Sequence, residues 1–327
     1  MTESPGAPSC AVIVATRDRG AKIVPLLDSI MASDLDDFEL VVVDQSVDDA
    51  TETAFLPFRG DPRLSYVRST ATGLSRARNL GISLTTAPYL VITDDDCIVP
   101  PEWMRAITAP MRDDPEVGVV FCSVRPVPVD EPGYTPHVIF EANRKLTTVR
   151  EAWRAGRGGL CLGAGMAVRR TAFDELGGFD GLLGAGGRFG SLEDNDLSWR
   201  GLLRGWATYH TCDVTVVHDG FRNLDEFREL VARDLYGVGG GVAKYIRTGR
   251  LWVMTFLGSW LWRFGVVGPV GDLLGGRRPR GLRRPYMLVR GVIDGLRTPL
   301  DRQALMYEAN TSGRASDRRD SAQLLGD

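Results

Sequence analysis

Along the first 220 positions, short apolar runs alternate with segments of helical spacing, a pattern that predicts strands and helices in turn. The stretch Cys10–Thr16 (CAVIVAT) is continuously apolar and rich in β-branched residues before it breaks into the polar RDRG, the signature of a strand buried on both faces. A helix is expected over 21–33, a second strand over Phe38–Asp44 (FELVVVD), a capped helix within QSVDDATETAF and a third strand over Leu64–Arg68. The βαβαβ order continues with a helix over 74–84, a short strand over 89–93, a helix over 102–112 behind Pro100-Pro101, and a strand over 117–123. Residues 124–158 are rich in proline, glycine and arginine, and only HVIFEANRK within them suggests a short strand or helix. A strand over 160–169, a helix in TAFDELGGFD ended by Gly177-Gly178, a glycine-rich loop, a helix beginning near Glu193 and a last strand over 208–217 complete the alternation. From about residue 221 the pattern turns helical with no further β run, and no internal repeat is visible.

A length of 327 residues accommodates about two domains and a substantial core. Hydrophobic residues at 43% and charged residues at 25% are ordinary usage, which disfavours disorder, collagen and a multi-span membrane protein. Lys and Arg (39) nearly balance Asp and Glu (42), so a net charge of −3 leaves no basic footprint and no nucleic-acid partner is expected. The five cysteines, Cys10, Cys97, Cys122, Cys161 and Cys212, form no CxxC pair. They suggest neither a disulfide framework nor a thiolate zinc site and fit a reducing, cytoplasmic setting. The first apolar run follows no Lys or Arg and is too short for a secretory signal, so it reads as a strand. Charge is unevenly placed, because residues 244–302 hold twelve Lys and Arg against three Asp. Within that stretch LWVMTFLGSWLW (251–262) is apolar and aromatic, but Arg263 and Gly268-Pro269 cut it too short for a transmembrane helix. It suits either a helix in the headgroup plane of an anionic membrane, or burial against the rest of the chain or a second subunit of a homo-oligomer.

Three adjacent aspartates, Asp94, Asp95 and Asp96, follow the strand 89–93 directly. Open α/β sheets bind ligands at that edge, and a run of like charges there is relieved by a divalent cation or by solvent. A solvated acidic turn is the competing reading; the preceding βαβ half favours a nucleoside diphosphate held through Mg2+ or Mn2+. A second acidic cluster, Glu193-Asp194-Asn195-Asp196, comes about a hundred residues later at a helix start, where the macrodipole alone would favour acids. The loop Gly184-Ala185-Gly186-Gly187-Arg188-Phe189-Gly190 lets backbone approach a sugar or move as a lid, and it does not follow the first strand as a dinucleotide fingerprint would.

In order along residues 10–220, VIVATRDR, VVVDQS, GLSRARNLGI, ITDDDCIVPPEW, GAGMAVRRTAFDELGGFD, SLEDNDLSWR and VVHDG together resemble the family-2 glycosyltransferases. The resemblance implies an α/β GT-A fold with a Rossmann-like mixed sheet, and the transfer of one sugar from a nucleotide diphosphate sugar to a hydroxyl acceptor with inversion. It maps the metal-binding DxD pair to Asp94 and Asp96, with Asp95 between them on the donor side and His218 completing the metal site. It places Asp44 at the nucleobase, Thr16 and Arg17 near the nucleoside, and Arg78 and Asn79 on the donor-side helix, where Arg78 faces phosphate charge or forms an ion pair. The family's Asp-Gly-Ser is Asp-Gln-Ser here. The resemblance makes Asp194 the general base, Glu193 its orienting partner and Asp196 a residue that caps or positions the helix. Trp199 and Trp206 stack on an acceptor or, as their spacing favours, fill a core.

The implied cofactor is Mn2+ or Mg2+, and the implied donor a UDP-sugar, with GDP- and dTDP-sugars as alternatives. The implied acceptor is an envelope glycolipid or glycan precursor, reached by a protein that is cytoplasmic or peripheral on the cytoplasmic face of the membrane. Processive members carry a QxxRW motif and several membrane spans, which this sequence lacks, so single additions are expected. The expected organisation is a flexible N-terminus (1–9), a catalytic domain over 10–220 with a donor half (10–123) and an acceptor half (124–220), a helical basic region over 221–309 and a flexible tail (310–327). Two other readings remain: a sugar-1-phosphate nucleotidyltransferase, for which TRDRGAK is a poor phosphate loop, and a catalytically silent scaffold, against which the intact acidic clusters argue.

Overall fold

A computed structural model describes residues 8–127, 134–136, 140–142, 145–148, 161–219, 221–267, 270, 273–274 and 283–308. Strand β1 (Cys10–Thr16) is the central parallel strand, flanked by β2 (Phe38–Asp44) and β4 (Tyr89–Asp94), with β3 (Leu64–Arg68) outside β2. Its residues Val12 and Val14 face helices α1 (Val24–Met31) and α4 (Trp103–Asp113), while Ala11 and Ile13 face α3 (Leu74–Ser83). Burial on both faces explains why β1 reads as an uninterrupted apolar run. The expected helix over 21–33 is a 3-10 turn (Gly20–Ile23) running into α1, which opens with proline in its first turn. Helix α2 (Ala50–Phe55) lies between β2 and β3.

The second half of the sheet is mixed. Strand β9 (Met166–Arg169) runs antiparallel to β4 on one side and to β6 (Val117–Pro126) on the other. Strand β10 (Ala207–His218) lies parallel to β6 and pairs antiparallel with β5 (Cys97–Ile98) and β8 (Lys145–Thr147). The resulting order is β3-β2-β1-β4-β9-β6-β10-β5, with β8 on β10. The expected strand over 160–169 is shorter, because Gly163–Gly165 forms a 3-10 turn before β9. Helix α5 (Arg170–Leu176) ends at Gly177 with φ 73°, a left-handed stop that glycine adopts without strain. Helix α6 (Glu193–Arg204) follows the glycine-rich loop. The acceptor-side loop expected over 124–158 falls largely outside the described residues, as does the tail 310–327.

Beyond residue 220 come helices α7 (Leu224–Arg247), α8 (Val253–Leu261) and α9 (Arg283–Arg297). Three short strands correct the expectation of no further β structure: Phe221–Asn223 pairs with β7 (Tyr134–Pro136), and Leu300–Asp301 pairs with Met306–Tyr307. Two or three residues are too few to carry a period of two. Helices α7 and α9 meet through glycines: a methyl carbon on Gly239 would lie 2.1 Å from the Leu288 carbonyl oxygen, and one on Gly291 2.0 Å from that of Tyr236. Trp199 and Leu202 of α6 share a core with Leu235, Val238, Val242 and Tyr245 of α7, Val253 and Phe256 of α8, and Leu288 of α9. The apolar core therefore continues across residue 221.

Candidate active site

The C-terminal ends of β1 and β4, the end of β10 and the first turns of α3 and α6 surround a cavity of about 670 Å3. This is the edge at which a strand order reverses and open sheets take ligands. Thr16, Arg17, Arg78, Asp94, Asp95, Asp96, Glu193, Asp194 and His218, all singled out in the sequence, line it.

On the sheet side, β5 pairs with the end of β10 so that His218 lies opposite Cys97, and the Asp219 N–H donates to the Asp96 carbonyl at 2.8 Å. That pairing sets His218 Nε2 3.1 Å from Asp96 Oδ1 and 4.0 Å from Asp94 Oδ2. The ligand atoms of Asp96, Cys97 and His218 lie within 4.8 Å of one another, and Asp94 stands at the edge of this group through His218; carboxylate and imidazole together suit Mn2+, and carboxylate oxygens suit Mg2+. Cys97 is close enough to join the cluster, but burial and the neighbouring aspartates push its thiol far above the usual range. A neutral, soft thiol is a poor ligand for such hard ions. Asp95 is buried beneath Arg19, and burial pushes its carboxyl up to about 6 against the pull of the guanidinium.

On the opposite wall, α6 begins with an unusual residue. Leu192 has φ 80° although it is not glycine, and its buried side chain packs where a methyl carbon on Gly241 of α7 would come within 2.3 Å. The contorted entry turns Glu193 and Asp194 into the cavity, while Asp196 points to the interior. Asp194 Oδ1 accepts from the Asn195 backbone N–H at 2.6 Å and from its side-chain amide at 2.8 Å. Burial, the adjacent Asp194 and the resulting repulsion raise the Glu193 carboxyl to about 7, and burial raises that of Asp194 as well. Arg78, itself 1% exposed, joins the two walls: one terminal nitrogen donates to Asp94 Oδ1 at 2.8 Å, the other to Glu193 Oε1 at 3.1 Å. Arg78 is thus an ion-pair residue that also lines the cavity.

Two expected donor residues stand apart from the cavity. Asp44 is fully buried, with Oδ1 taking the Ser46 backbone N–H and hydroxyl and Oδ2 taking the Tyr66 hydroxyl. Its acceptors are therefore already engaged by its own neighbours, and the adjacent Gln45 lines the cavity instead. Asn79 is committed through both ends of its amide to the backbone of Phe179, at 2.8 and 2.9 Å, and ties α3 to the turn after α5. Asp196 points away from the cavity and is held by Lys244 at 2.7 Å, Arg200 at 2.9 Å and Tyr245 at 2.9 Å. Trp199 is core, edge-on to Tyr245, Trp252 and Phe256. Sequence reasoning missed Arg19, which bonds Asp95 Oδ1 at 2.9 Å and Asp96 Oδ2 at 2.6 Å, and missed Arg233 of α7 in the cavity wall. No local signal marks either, because their partners are distant in the chain.

The segment 251–262 divides its surface. Val253, Phe256 and Leu257 are buried in the core with α6, and Trp260 packs on Phe256, whereas Leu251, Met254 and Trp262 are exposed. No helix among the described residues is long and apolar enough to cross a membrane.

The chain is similar to known glycosyltransferases in sequence and in fold. The chain is 28% identical over 141 residues to an uncharacterized glycosyltransferase, EpsJ, of Bacillus subtilis, covering 43% of this chain and 40% of that protein. The match spans less than half the length of that relative. Among solved structures, the mannosyltransferase PcManGT from Pyrobaculum calidifontis, in complex with GDP-Man and Mn2+, superposes with a TM-score of 0.60 at 20% identity over 89% of this chain and 88% of that one. S. aureus TarS in complex with UDP-GlcNAc superposes with a TM-score of 0.50 at 17% identity over 70% of this chain and 66% of that one. These likenesses establish the GT-A fold. The family model "Glycosyl transferase family 2" matches residues 11–177, half the chain, and takes in all of β1 but its first residue, the Asp94–Asp96 run and β9; the chain belongs to that family.

Proposed function

We propose that this chain transfers a single sugar from a nucleotide diphosphate sugar to a hydroxyl acceptor, with inversion and with the help of a divalent metal. The observation that carries the reading is the meeting, in one cavity, of a carboxylate–imidazole cluster and a second pair of carboxylates bridged to it by Arg78. Asp94, Asp96 and His218 would hold Mn2+ or Mg2+, which supplies positive charge to a departing diphosphate. Arg78 adds a fixed guanidinium beside Asp94, and Thr16 and Arg17 line the donor side of the same space.

Asp194 would take the proton of the acceptor hydroxyl. Its carboxyl is raised by burial, which brings it toward the range in which a base works near neutrality, and Asn195 fixes its orientation. Glu193, gripped by Arg78, would orient that base and the acceptor. Membership in the family sets aside the nucleotidyltransferase reading. A silent scaffold would have no use for the costly burial of Glu193 and Asp194 side by side.

UDP-, GDP- and dTDP-sugars are the donor classes to test, since the structural neighbours hold GDP-Man and UDP-GlcNAc. A lipid-linked acceptor at an anionic membrane surface is supported by the exposed apolar residues Leu251, Met254, Trp262, Tyr286, Val289 and Ile293 among basic neighbours. The function is tested by calorimetric titration of the three donor classes with and without Mn2+. A donor should bind only with metal, and Asp96→Ala should abolish that binding; metal-independent affinity, or full affinity in the variant, would overturn the reading.

A further inference from the structure

Resting on the metal–diphosphate reading above, we propose that Arg19 is a displaceable counter-ion: it competes with a cation for Asp95 and Asp96, and transfers to the diphosphate when metal and nucleotide enter together. Its guanidinium spans the two acids, Nε to Asp95 Oδ1 at 2.9 Å and one terminal nitrogen to Asp96 Oδ2 at 2.6 Å. The other oxygen of Asp96 faces His218 Nε2 at 3.1 Å. Any cation that draws on Asp96 therefore competes with a positive charge already there.

The loop is built so that the side chain, and not the backbone, does the moving. Asp18 and Gly20, on either side of Arg19, have φ of 54° and 53°, a double left-handed turn that throws Arg19 back over the aspartates. The Asp18 N–H is fixed by the Ser46 hydroxyl at 2.7 Å and the Gly20 N–H by that of Thr51 at 3.0 Å. The Arg19 side chain is nevertheless 29% exposed, against 1% for Arg78, the other guanidinium on the aspartate run. One arginine is built in and the other is free to leave.

The charges dictate the coupling. A divalent ion added while Arg19 stays in place brings two like-signed groups to one carboxylate, so metal alone binds weakly. A diphosphate would give the guanidinium a new anionic partner that it can engage through two parallel hydrogen bonds, and would add hard oxygen ligands for the cation. Metal and nucleotide then assist one another, and linkage requires the assistance to be mutual.

The test is an equilibrium measurement on the intact chain: free Mn2+ counted by paramagnetic resonance, and UDP and GDP affinity at saturating Mn2+ by calorimetry, for wild type, Arg19→Gln and Arg19→Lys. Arg19→Gln should bind Mn2+ alone about tenfold more tightly, within the range of ordinary site coupling, and bind the nucleotide about tenfold more weakly. Arg19→Lys should stay near wild type in the metal titration, because the competing charge remains. Opposite shifts from one substitution are the signature, since a folding defect would weaken both. Unchanged or weaker Mn2+ binding in Arg19→Gln, with wild type binding the metal normally, overturns the role of Arg19 alone. Failure of wild type to bind Mn2+ even with nucleotide overturns the metal reading, and this inference with it.

Discussion

Glu193 and Asp194 are sequence neighbours whose surroundings separate their chemistry. Arg78 bonds Glu193 directly, while Asp194 is held by its own neighbour Asn195. If Asp194 is the base, Asp194→Asn keeps its shape but cannot accept a proton. Turnover should fall about 10²-fold or more with donor affinity unchanged, measured by steady-state kinetics alongside calorimetry. Near-normal turnover would move the role to Glu193. The raised carboxyl of Glu193 also has a consequence for stability. The folded chain keeps that proton up to about pH 7, whereas the unfolded chain releases it near 4.5. Between those values the native state binds more protons than the unfolded one, so stability falls as pH rises across the window. Glu193→Gln removes the buried charge. Its melting temperature should exceed wild type at pH 8 by a few degrees, at roughly 2–4 °C per kcal/mol for a chain of this size, and the gap should close toward pH 5. A gap that widens on acidification would mean that Arg78 more than compensates the burial.

At the scale of elements, α7 is a wall of the site rather than an appendage. At roughly helical spacing it offers the Asp234 carbonyl to the Ser191 hydroxyl at 2.8 Å, Gly240 to the Phe189 ring, Gly241 to Leu192, and Lys244 to Asp196. Phe189, Ser191 and Leu192, which lead into α6, are therefore fitted to α7. Lys244 is fully buried between Asp180 at 2.8 Å and Asp196 at 2.7 Å. Lys244→Met would leave two buried carboxylates short of a cation, which should cost about 3–5 kcal/mol in urea unfolding. A loss below about 1 kcal/mol would show that Arg200 and Tyr245 suffice to hold Asp196.

For the whole molecule, the outer face of the C-terminal helices carries exposed apolar side chains. The core beneath them is filled, yet Trp262 is 63% and Tyr286 61% exposed. If an anionic lipid surface covers this face, as proposed, each basic residue near it adds roughly 1 kcal/mol. Co-sedimentation with phosphatidylserine vesicles should weaken with salt and on Trp262→Ser or Tyr286→Ser, but Trp260 is a poor probe because it packs on Phe256. Binding unaffected by both serine variants would place the contact elsewhere.

Much of this architecture is legible in the chain itself. The β1 run, the Asp94–Asp96 triplet at a strand end and the Glu193–Asp196 helix start depend on neighbours in sequence, because burial on two faces, strand termini and helix termini leave local patterns. Contacts between distant segments leave none. That Tyr66 closes on Asp44, that Arg78 links two acidic clusters 99 residues apart in the chain, and that Arg19 lies on the triplet were decided by packing alone. The same holds for α7: composition marks a change near residue 221, but the glycines and the lysine that fit it to α6 acquire meaning only from the side chains they meet. Sequence determines which groups are available and which local backbone they ride on; the closing of the sheet and of the helical layer determines which of them share a cavity, and with which charge beside them.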